Sequence, residues 1–510
     1  NATLCGTGTA TLQNGSGSQV TYTNGGTVNQ ICTSFTINCT GVGCTGFPVV
    51  GTTPVVTGTT GPAGVGSNSG NSFLKLWFKV DNGLNLTGTS INSWTNSAGV
   101  SALDISETAA QRPTLVSGVV NGFPEVSFSG SNRLRSGLTL TTSNFVTTEA
   151  SSFVVNRADN TTQSSSVYLT DPLEGNRFST HIPWSGTVYY DIGTCCSNDA
   201  RIEVGGLTGL TNYSIWSYDA NATLGKQLYR NGTLLQDRAN ALAYSSHATH
   251  RFNIGGNTSG TAGFQGDVTE VIIFNARINQ AQRILIQNYL SAKYAIALSA
   301  QDLYTMDDVG NGNFDYEVAG IGQASDGSRH IDAKGSGAVR MWNPSGLANG
   351  EFLIWGHAGQ AFAGGNTAVD GVVIQERLQR IWRVSETGDV GTVSISVNLA
   401  GTMGSALGSN LRLLIDRDGD GFADNDVTPI AGSFSGTTVT FSGVNFQNGD
   451  RFTIGNTNIA LPLPIDLLSF DAVVIQNEVQ LTWATASEQN NDFFTIERSK
   501  SGEEWESVAK

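Results

Sequence analysis

Short stretches of alternating apolar and polar residues, separated by turn-forming residues, recur along most of this chain. Two of the clearest are FLKLWFKVD at residues 73–81 and DVTEVIIFNA at residues 267–276. Successive side chains of a strand point to opposite faces, so such stretches predict β-strands with a buried face. Asn231-Gly232, between QLYR and TLLQ, strongly favours a two-residue hairpin turn. Many short strands at this spacing predict an all-β fold of β-sandwich or jelly-roll type.

One segment departs from this pattern and predicts a helix over about residues 279–297. Apolar residues recur there at intervals of three and four, as they do on one face of a helix. Asn279 can cap the first turn, and Gln282, three residues later, completes a capping box. We expect this helix to close the sandwich as a packed surface helix, with no chemistry of its own.

The charge balance excludes several classes of partner. The 510 residues include 27 Lys and Arg against 42 Asp and Glu, giving a formal net charge of −15. Without a run of basic residues, the chain is poorly suited to bind nucleic acid or an anionic membrane surface. No apolar stretch reaches the ~18 residues that a membrane-spanning helix needs, so no membrane span is expected.

We expect a multidomain chain of four regions, all of them β structure apart from the one helix. Residues 1–72 form an N-terminal β segment with a Gly/Thr-rich arm, and residues 73–300 form the main sandwich. Residues 301–460 form a second β-rich domain. Residues 461–510 supply only about half of the ~100 residues and seven strands of a fibronectin-type sandwich. The chain is therefore expected to be a fragment of a longer protein.

The cysteines indicate an oxidising compartment. Four of them fall within the first 44 residues, a stretch with few groups to bury, which favours stabilising disulfides over metal binding. The sequence does not fix the pairing; Cys5–Cys32 with Cys39–Cys44 is our working assignment. The adjacent Cys195 and Cys196 either form a disulfide that stiffens a loop or remain ordinary thiols. The chain begins with Asn, which suggests a processed, extracellular or outer-surface protein. The candidate disulfide residues are Cys5, Cys32, Cys39, Cys44, Cys195 and Cys196.

Three segments resemble known families. FLKLWFKVDNG, PEVSFSGSNRL and the helical segment, within residues 73–297, resemble the LamG/concanavalin A-like modules of large Bacteroidota surface proteins. YEVAGIGQ, FLIWGHAG and RIWRVSETGDV resemble the β-rich domain that commonly follows that module. LPLPIDLLSFDAVVIQNEVQLTWATASEQ is similar to the fibronectin type III-like segment before a type IX secretion sorting domain. The resemblance implies export, with the secretion and sorting machinery as a partner, but it fixes no activity.

An acidic loop predicts a calcium site. The segment DRDGDGFAD, beginning at Asp416, places carboxylates at loop positions 1, 3 and 5 and Gly at position 6, a ligand pattern that suits Ca²⁺. Position 12 is Val427 rather than Glu, so low affinity is expected. The alternative is a solvated acidic turn without an ion. The predicted ligands are Asp416, Asp418, Asp420, Phe422 (through its backbone carbonyl), Asp424 and Asp426.

Catalytic patterns are weak, and aromatic residues are the remaining candidates for binding. Asp267 and Glu270 are expected on opposite strand faces, and the sequence holds no compact glycosidase, protease or hydrolase motif, so we expect no enzyme activity. Tyr and Trp rings suit sugar faces and protein hot spots, although a sandwich core needs them too. The candidate ligand-binding residues are Trp184, Tyr189, Tyr190, Trp216 and Tyr218.

Three functions are consistent with these features. The first is a secreted, non-catalytic cell-surface adhesin that binds surface glycans or proteins. The second is a subunit of an extracellular fibre, in which the pairs Val49-Val50 and Val55-Val56 add to the sheet edge of another copy. The third is the accessory binding region of a larger glycan-degrading enzyme.

Overall fold

The computed structural model describes residues 55–400, 402 and 408–458, together with shorter segments at 10–11, 37–38, 467–475, 478–485, 495–498 and 506–509. The predicted disulfides of Cys5, Cys32, Cys39 and Cys44 lie outside the described residues. In the N-terminal region, β1 (Ala10–Thr11) and β2 (Ile37–Asn38) pair in parallel.

A first sandwich of antiparallel strands is formed by residues 74–274. Its centre is β10, which pairs with β15 on one side and with β19 on the other, and β19 also pairs with β3 and β8. The predicted all-β fold is confirmed. The strands are β3 (Leu74–Lys79), β4 (Leu84–Thr87), β5 (Ser90–Trp94), β6 (Ile105–Ser106), β7 (Thr114–Val120), β8 (Phe123–Ser129), β9 (Leu134–Ser136), β10 (Glu149–Ala158), β11 (Tyr168–Asp171), β12 (Asn176–Trp184), β13 (Thr187–Thr194), β14 (Arg201–Val204), β15 (Ser214–Asn221), β16 (Gly225–Arg230), β17 (Thr233–Arg238), β18 (Arg251–Ile254) and β19 (Gln265–Phe274).

The hairpin predicted at Asn231-Gly232 is present. Arg230 of β16 pairs with Thr233 of β17, leaving two residues in the turn. Asn231 has φ +46° and Gly232 has φ +83°. Positive φ at both central positions is the requirement of a type I′ turn, which explains why this dipeptide occurs here.

The predicted helix is α1 (Gln280–Tyr294), and its capping box is confirmed. The Asn279 side chain accepts a hydrogen bond from the backbone N–H of Gln282 at 2.9 Å. The Gln282 side chain accepts one in return from the backbone N–H of Asn279 at 3.2 Å. Two amides that would otherwise lack partners at the helix start are therefore satisfied locally.

A second sandwich follows the helix. One sheet has the strand order β21-β20-β24-β26-β32-β28-β29, with β25 also paired to β32; the other has the order β22-β23-β27-β31-β30. Apolar residues from the two sheets form a common core that includes Trp355, Trp382 and Phe452. The strands are β20 (Tyr316–Gln323), β21 (Arg329–His330), β22 (Asp332–Ala333), β23 (Val339–Trp342), β24 (Glu351–His357), β25 (Glu376–Arg377), β26 (Trp382–Thr387), β27 (Val393–Asn398), β28 (Leu411–Asp416), β29 (Ile430–Ala431), β30 (Ser433–Ser435), β31 (Thr438–Val444) and β32 (Arg451–Asn456).

Helix α1 lies between the two sandwiches, so the prediction of a surface helix is wrong. Its residues from Ala281 to Tyr294 are all buried. On one side Gln287 donates a hydrogen bond to Ser217 of β15 at 2.7 Å. On the other side Leu285 packs on β20, where a Cβ added to Gly320 would lie only 2.6 Å from the Leu285 side chain. Buried polar side chains of the helix, such as Gln282, Gln287 and Lys293, have hydrogen-bond partners in other parts of the chain.

Residues 55–66, here called the docked segment, pack within their own chain. Val56, Ala63 and Val65 are buried, and Ala63 forms a parallel bridge with Ala319 of β20. The Gln282 side chain of α1 donates a hydrogen bond to the carbonyl of Val56 at 2.8 Å. Strand addition to another copy is therefore not supported at Val55-Val56, because Val56 is already covered and cannot add to another copy without leaving its site. Val49-Val50 lie outside the described residues.

The C-terminal region contains two antiparallel pairs. The first is β33 (Leu467–Ile475) with β34 (Glu478–Thr485), and the second is β35 (Ile496–Arg498) with β36 (Glu506–Ala509). Among the described residues, no helix has both the length and the apolar character needed to cross a membrane.

Candidate functional site

The five aromatic candidates divide between the surface and the core of the first sandwich. Trp184 and Tyr189 are half-buried on the outer face of β12–β14. Tyr190, Trp216 and Tyr218 are at most 1% exposed. Tyr190 and Tyr218 stack on each other with ring centroids 4.8 Å apart. The ligand-binding prediction is wrong for these three residues, because strand alternation turns them into the core.

The outer face around Trp184 and Tyr189 is held by a buried carboxylate. Asp191 is fully buried on this face, although it carries a charge. Arg177 contacts it at 2.8 Å and Arg201 at 2.7 Å, and His181 lies 3.5 Å away. Burial raises the pKa of the Asp191 carboxyl, but Arg201, His181 and Arg177 outweigh burial and hold its pKa below the usual range. The carboxylate therefore stays charged and fixes the positions of both guanidinium groups.

The same groups order the two surface rings. Arg201 lies over the Tyr189 ring, 4.4 Å from its centroid. The Trp184 ring meets His181 edge to face, with centroids 5.1 Å apart and planes at 88°. We name Trp184 and Tyr189 with their supporting neighbours His181, Asp191 and Arg201 the aromatic face. Its rings are exposed enough to meet a ligand and are constrained by charged neighbours.

Cys195 and Cys196 are joined in a disulfide directly after β13. The Arg177 guanidinium lies 2.7 Å from Cys195 Sγ and 3.2 Å from Cys196 Sγ. Arg201 lies 3.4 Å from Cys195 Sγ. The disulfide thus borders the aromatic face at the end of the strand that carries Asp191.

Sequence reasoning missed the charged residues that support this face. Arg177, His181, Asp191 and Arg201 lie on three consecutive strands, and strand alternation places them on one face. The sequence pattern that could have found them is charged residues at every second position of neighbouring strands, which places their side chains on the same face of the sheet. That signal shows a shared face but does not show that the carboxylate is buried.

The predicted calcium loop, residues 416–426, brings its carboxylates together. One oxygen from each of Asp416, Asp418 and Asp420 lies within 4.8 Å of the others, and the same holds for Asp418, Asp424 and Asp426. Asp418 belongs to both groups. The mutual repulsion of Asp418 and Asp424 with Asp420 raises the pKa of the exposed Asp420 carboxyl.

Hydrogen bonds and one apolar anchor shape this loop. Asp416 accepts a hydrogen bond from the backbone N–H of Gly419 at 2.7 Å, and Asp426 accepts one from Arg417 at 2.7 Å. The Phe422 side chain is 5% exposed and packs with Ile374 and Leu414. The second oxygen of Asp416 contacts the Arg451 guanidinium at 3.3 Å. The bond from Arg417 uses one oxygen of Asp426 and leaves the other for a cation. The donor set is all oxygen, which fits Ca²⁺.

The two carboxylates considered for catalysis occupy different environments. Asp267 pairs with Arg157 at 2.5 Å. Glu270 instead contacts Lys293 at 2.9 Å and accepts hydrogen bonds from Trp77 and Tyr289. Each carboxylate is thus engaged with its own cation, and the arrangement does not present them as a pair across a cleft.

Comparisons with known proteins give a match to one family model, over part of the chain, and a set of distant structural likenesses. A family model described as a domain of unknown function, DUF8202, matches residues 282–450, from inside α1 to the residue before β32, the last strand of the second sandwich. No curated protein matches the chain.

Among solved structures, the chain is similar to domain 4 of AbnA, a GH43 extracellular arabinanase from Geobacillus stearothermophilus, in complex with arabinotriose. Identity is 13% and the TM-score 0.31, over 42% of this chain and 97% of that one. It is also similar to the Ruminococcus gnavus IT-sialidase CBM40, at 12% identity and TM-score 0.23, over 27% and 80% of the two chains. The Limulus polyphemus SAP-like pentraxin is similar at 13% identity and a TM-score of 0.26, over 33% of this chain and 82% of that one. These likenesses are too distant to bear on function.

Proposed function

We propose that this protein is a secreted, non-catalytic adhesin of an outer cell surface, which binds surface glycans or proteins. The observation that carries the binding role is the aromatic face, where two half-exposed rings stand on a sheet stiffened by a buried ion cluster. Tyr and Trp offer large apolar faces with a polar end at low entropic cost, which suits sugar rings and protein partners alike. Export by a type IX-like route remains a proposal that rests on the resemblance of residues 461–505.

Adhesion should depend on the two exposed rings. We expect Trp184→Ala and Tyr189→Ala each to weaken attachment, because truncating an aromatic hot spot costs ~2 kcal/mol or more, about thirtyfold per site. Many copies on one surface amplify such a loss through avidity. The measurement is attachment of cells or beads displaying the chain to a glycan-bearing surface.

Leu138→Ala is the matched control for this experiment. Leu138 is 61% exposed in the same sandwich, so its truncation removes exposed apolar area without touching the aromatic face. Attachment that is unchanged in both aromatic variants, with their melting temperatures preserved, would remove the aromatic face as the binding surface.

We further propose that the loop of residues 416–426 binds Ca²⁺ and stiffens the second sandwich. The two overlapping carboxylate groups support this, with Asp418 shared between them. The loop departs from the usual pattern at Val427, which favours the weak affinities of ~10⁻⁴–10⁻³ M found in extracellular modules.

Calcium should therefore raise stability in a way that depends on Asp418. At about 10 mM Ca²⁺ and a Kd of ~10⁻⁴ M, selective binding to the folded state contributes about 2.7 kcal/mol. We expect Asp418→Asn to abolish this gain. Asp389→Asn is a matched control outside the loop. Asp418 and Asp389 each accept a hydrogen bond from the backbone N–H two residues later, at 3.1 Å and 2.9 Å respectively. Equal calcium-induced shifts in melting temperature for wild type and Asp418→Asn would contradict the site.

A further inference from the structure

A polar cleft of about 590 Å³ opens at one end of the first sandwich. Three segments that are far apart in sequence form it: residues 129–131 at the end of β8, residues 160–164 after β10, and residues 260–265 at the start of β19. A volume of this size falls within the range of pockets that hold small molecules. Ser164, which lines the cleft, is paired with Trp184 of the aromatic face. Nothing in the sequence analysis singled out the residues that line the cleft.

The lining has an unusual chemistry, since all its residues are Ser, Thr, Asn, Gln or Gly. A metal ion would require carboxylate, imidazole or thiolate ligands, and an anion would require Arg, Lys or a similar donor set. An apolar molecule would require an apolar lining. Hydroxyl and amide groups both donate and accept hydrogen bonds, so they match a ligand that carries many neutral hydroxyl groups.

Part of the cleft wall is fixed in place before any ligand arrives. The Gln163 side chain donates to the carbonyl of Gln265 at 2.8 Å and accepts from the N–H of Gln265 at 2.8 Å. Asn160 accepts from the backbone N–H of Gln163 at 2.9 Å and donates to the Gln265 side chain at 3.0 Å. A wall held this way loses little entropy on binding.

Other lining groups retain capacity for a ligand. The Ser164 hydroxyl bonds to the Ser185 hydroxyl at 3.1 Å, and a hydroxyl has one donor and two acceptor positions. Ser131 and Gln265 are exposed at the mouth of the cleft.

Trp184 stands beside this wall. Ser164 and Trp184 are directly paired as an antiparallel bridge, and residues paired in this way point their side chains to the same face. A molecule that bonds to the cleft through its hydroxyl groups can therefore lay an apolar ring face on the indole. Sugar rings combine these two features, equatorial hydroxyl groups and an apolar face.

We infer that this cleft, with Trp184 as its platform, is a binding subsite for uncharged sugar residues. The inference rests on the proposed adhesin function and deepens it, since it selects neutral glycans over acidic ones and over protein partners.

The test is isothermal titration calorimetry of the purified chain with cellotriose, maltotriose and xylotriose as neutral probes, and trigalacturonate as the acidic probe. Probe concentrations of about 10 mM cover affinities in the millimolar range. We expect at least one neutral trisaccharide to bind more tightly than trigalacturonate. Ser131→Ala/Gln265→Ala should weaken that binding at least tenfold, because both residues are exposed cleft groups and the Gln265 side chain also holds Asn160 in the wall. An unchanged melting temperature of this variant would show that the sandwich remains folded. Thr249→Ala, an exposed hydroxyl in the loop before β18 at the opposite end, should leave it unchanged.

The possible outcomes separate the cleft from the adhesin proposal. Tighter binding of trigalacturonate, or no binding of any neutral probe, would overturn the cleft inference. Binding of a neutral trisaccharide that survives in Ser131→Ala/Gln265→Ala but is lost in Trp184→Ala would also overturn the cleft inference. It would leave the aromatic face as the binding surface. Only unchanged adhesion in the aromatic variants would remove the proposed function itself.

Discussion

Lys293→Met should destabilise the folded chain by about 3–5 kcal/mol, the cost typical of breaking a buried ion pair by removing one partner. Lys293 is 4% exposed and Glu270 is fully buried, and Lys293 Nζ lies 2.9 Å from Glu270 and 2.7 Å from Asp81. Without the ammonium group, the Glu270 carboxylate remains inside the interface between α1 and β19. The measurement is the urea midpoint of unfolding, converted with the wild-type slope.

Lys75→Met is the control for burial alone. Lys75 is 5% exposed, similar to Lys293, and among the described residues it forms no ion pair. Burial lowers the pKa of its amine, so replacement by Met should cost little or even stabilise the chain. The double variant Glu270→Gln/Lys293→Met should recover part of the loss, since no uncompensated charge remains. Equal destabilisation by Lys75→Met and Lys293→Met would show that the ion pair is not what holds the helix.

Acid should loosen the docked segment through His330. This side chain is 7% exposed, and its Nε2 donates a hydrogen bond to the carbonyl of Gly64 at 3.0 Å. Burial lowers the pKa of His330 from 6.5 to about 4, although Gly64 and Asp332 act in the opposite direction. The neutral ring is thus favoured in the folded chain. Its stabilisation is complete above pH 6.5 and is lost as the pH falls towards 4, by up to about 3 kcal/mol.

The comparison of wild type with His330→Gln isolates this effect from other titrating groups. Burial raises the pKa of Asp307 to about 7 and that of Asp267 to about 6, and these carboxyl groups change stability in the opposite direction as the pH falls. Because both are present in each protein, their contributions cancel in the difference. We expect the advantage of wild type over His330→Gln to shrink between pH 6.5 and 4. A difference that is independent of pH would contradict the assignment.

Local features of this fold were predictable from sequence, whereas its long-range contacts were not. The Asn231-Gly232 turn and the Asn279 capping box depend on residues one to three positions apart, and both were predicted correctly. The burial of α1 depends on partners far away, such as Val56 for Gln282 and Glu270 for Lys293. The alternation of side chains along a strand places Trp216 and Tyr218 on the same face of the sheet. It does not show whether that face is the one covered by the opposing sheet. The cleft joins segments as distant as Gln163 and Gln265, which no local pattern connects.

The position of α1 also determines how this protein would respond to mechanical load. A protein that grips a surface at one end and is tethered at the other experiences tension along its length. Pulling the two sandwiches apart loads the contacts of α1 with both of them, together with the Ala63–Ala319 bridge of the docked segment. These contacts act side by side, so many must break within the same small extension. The shared helix therefore couples the two sandwiches, so a load applied to one of them is passed to the other through α1.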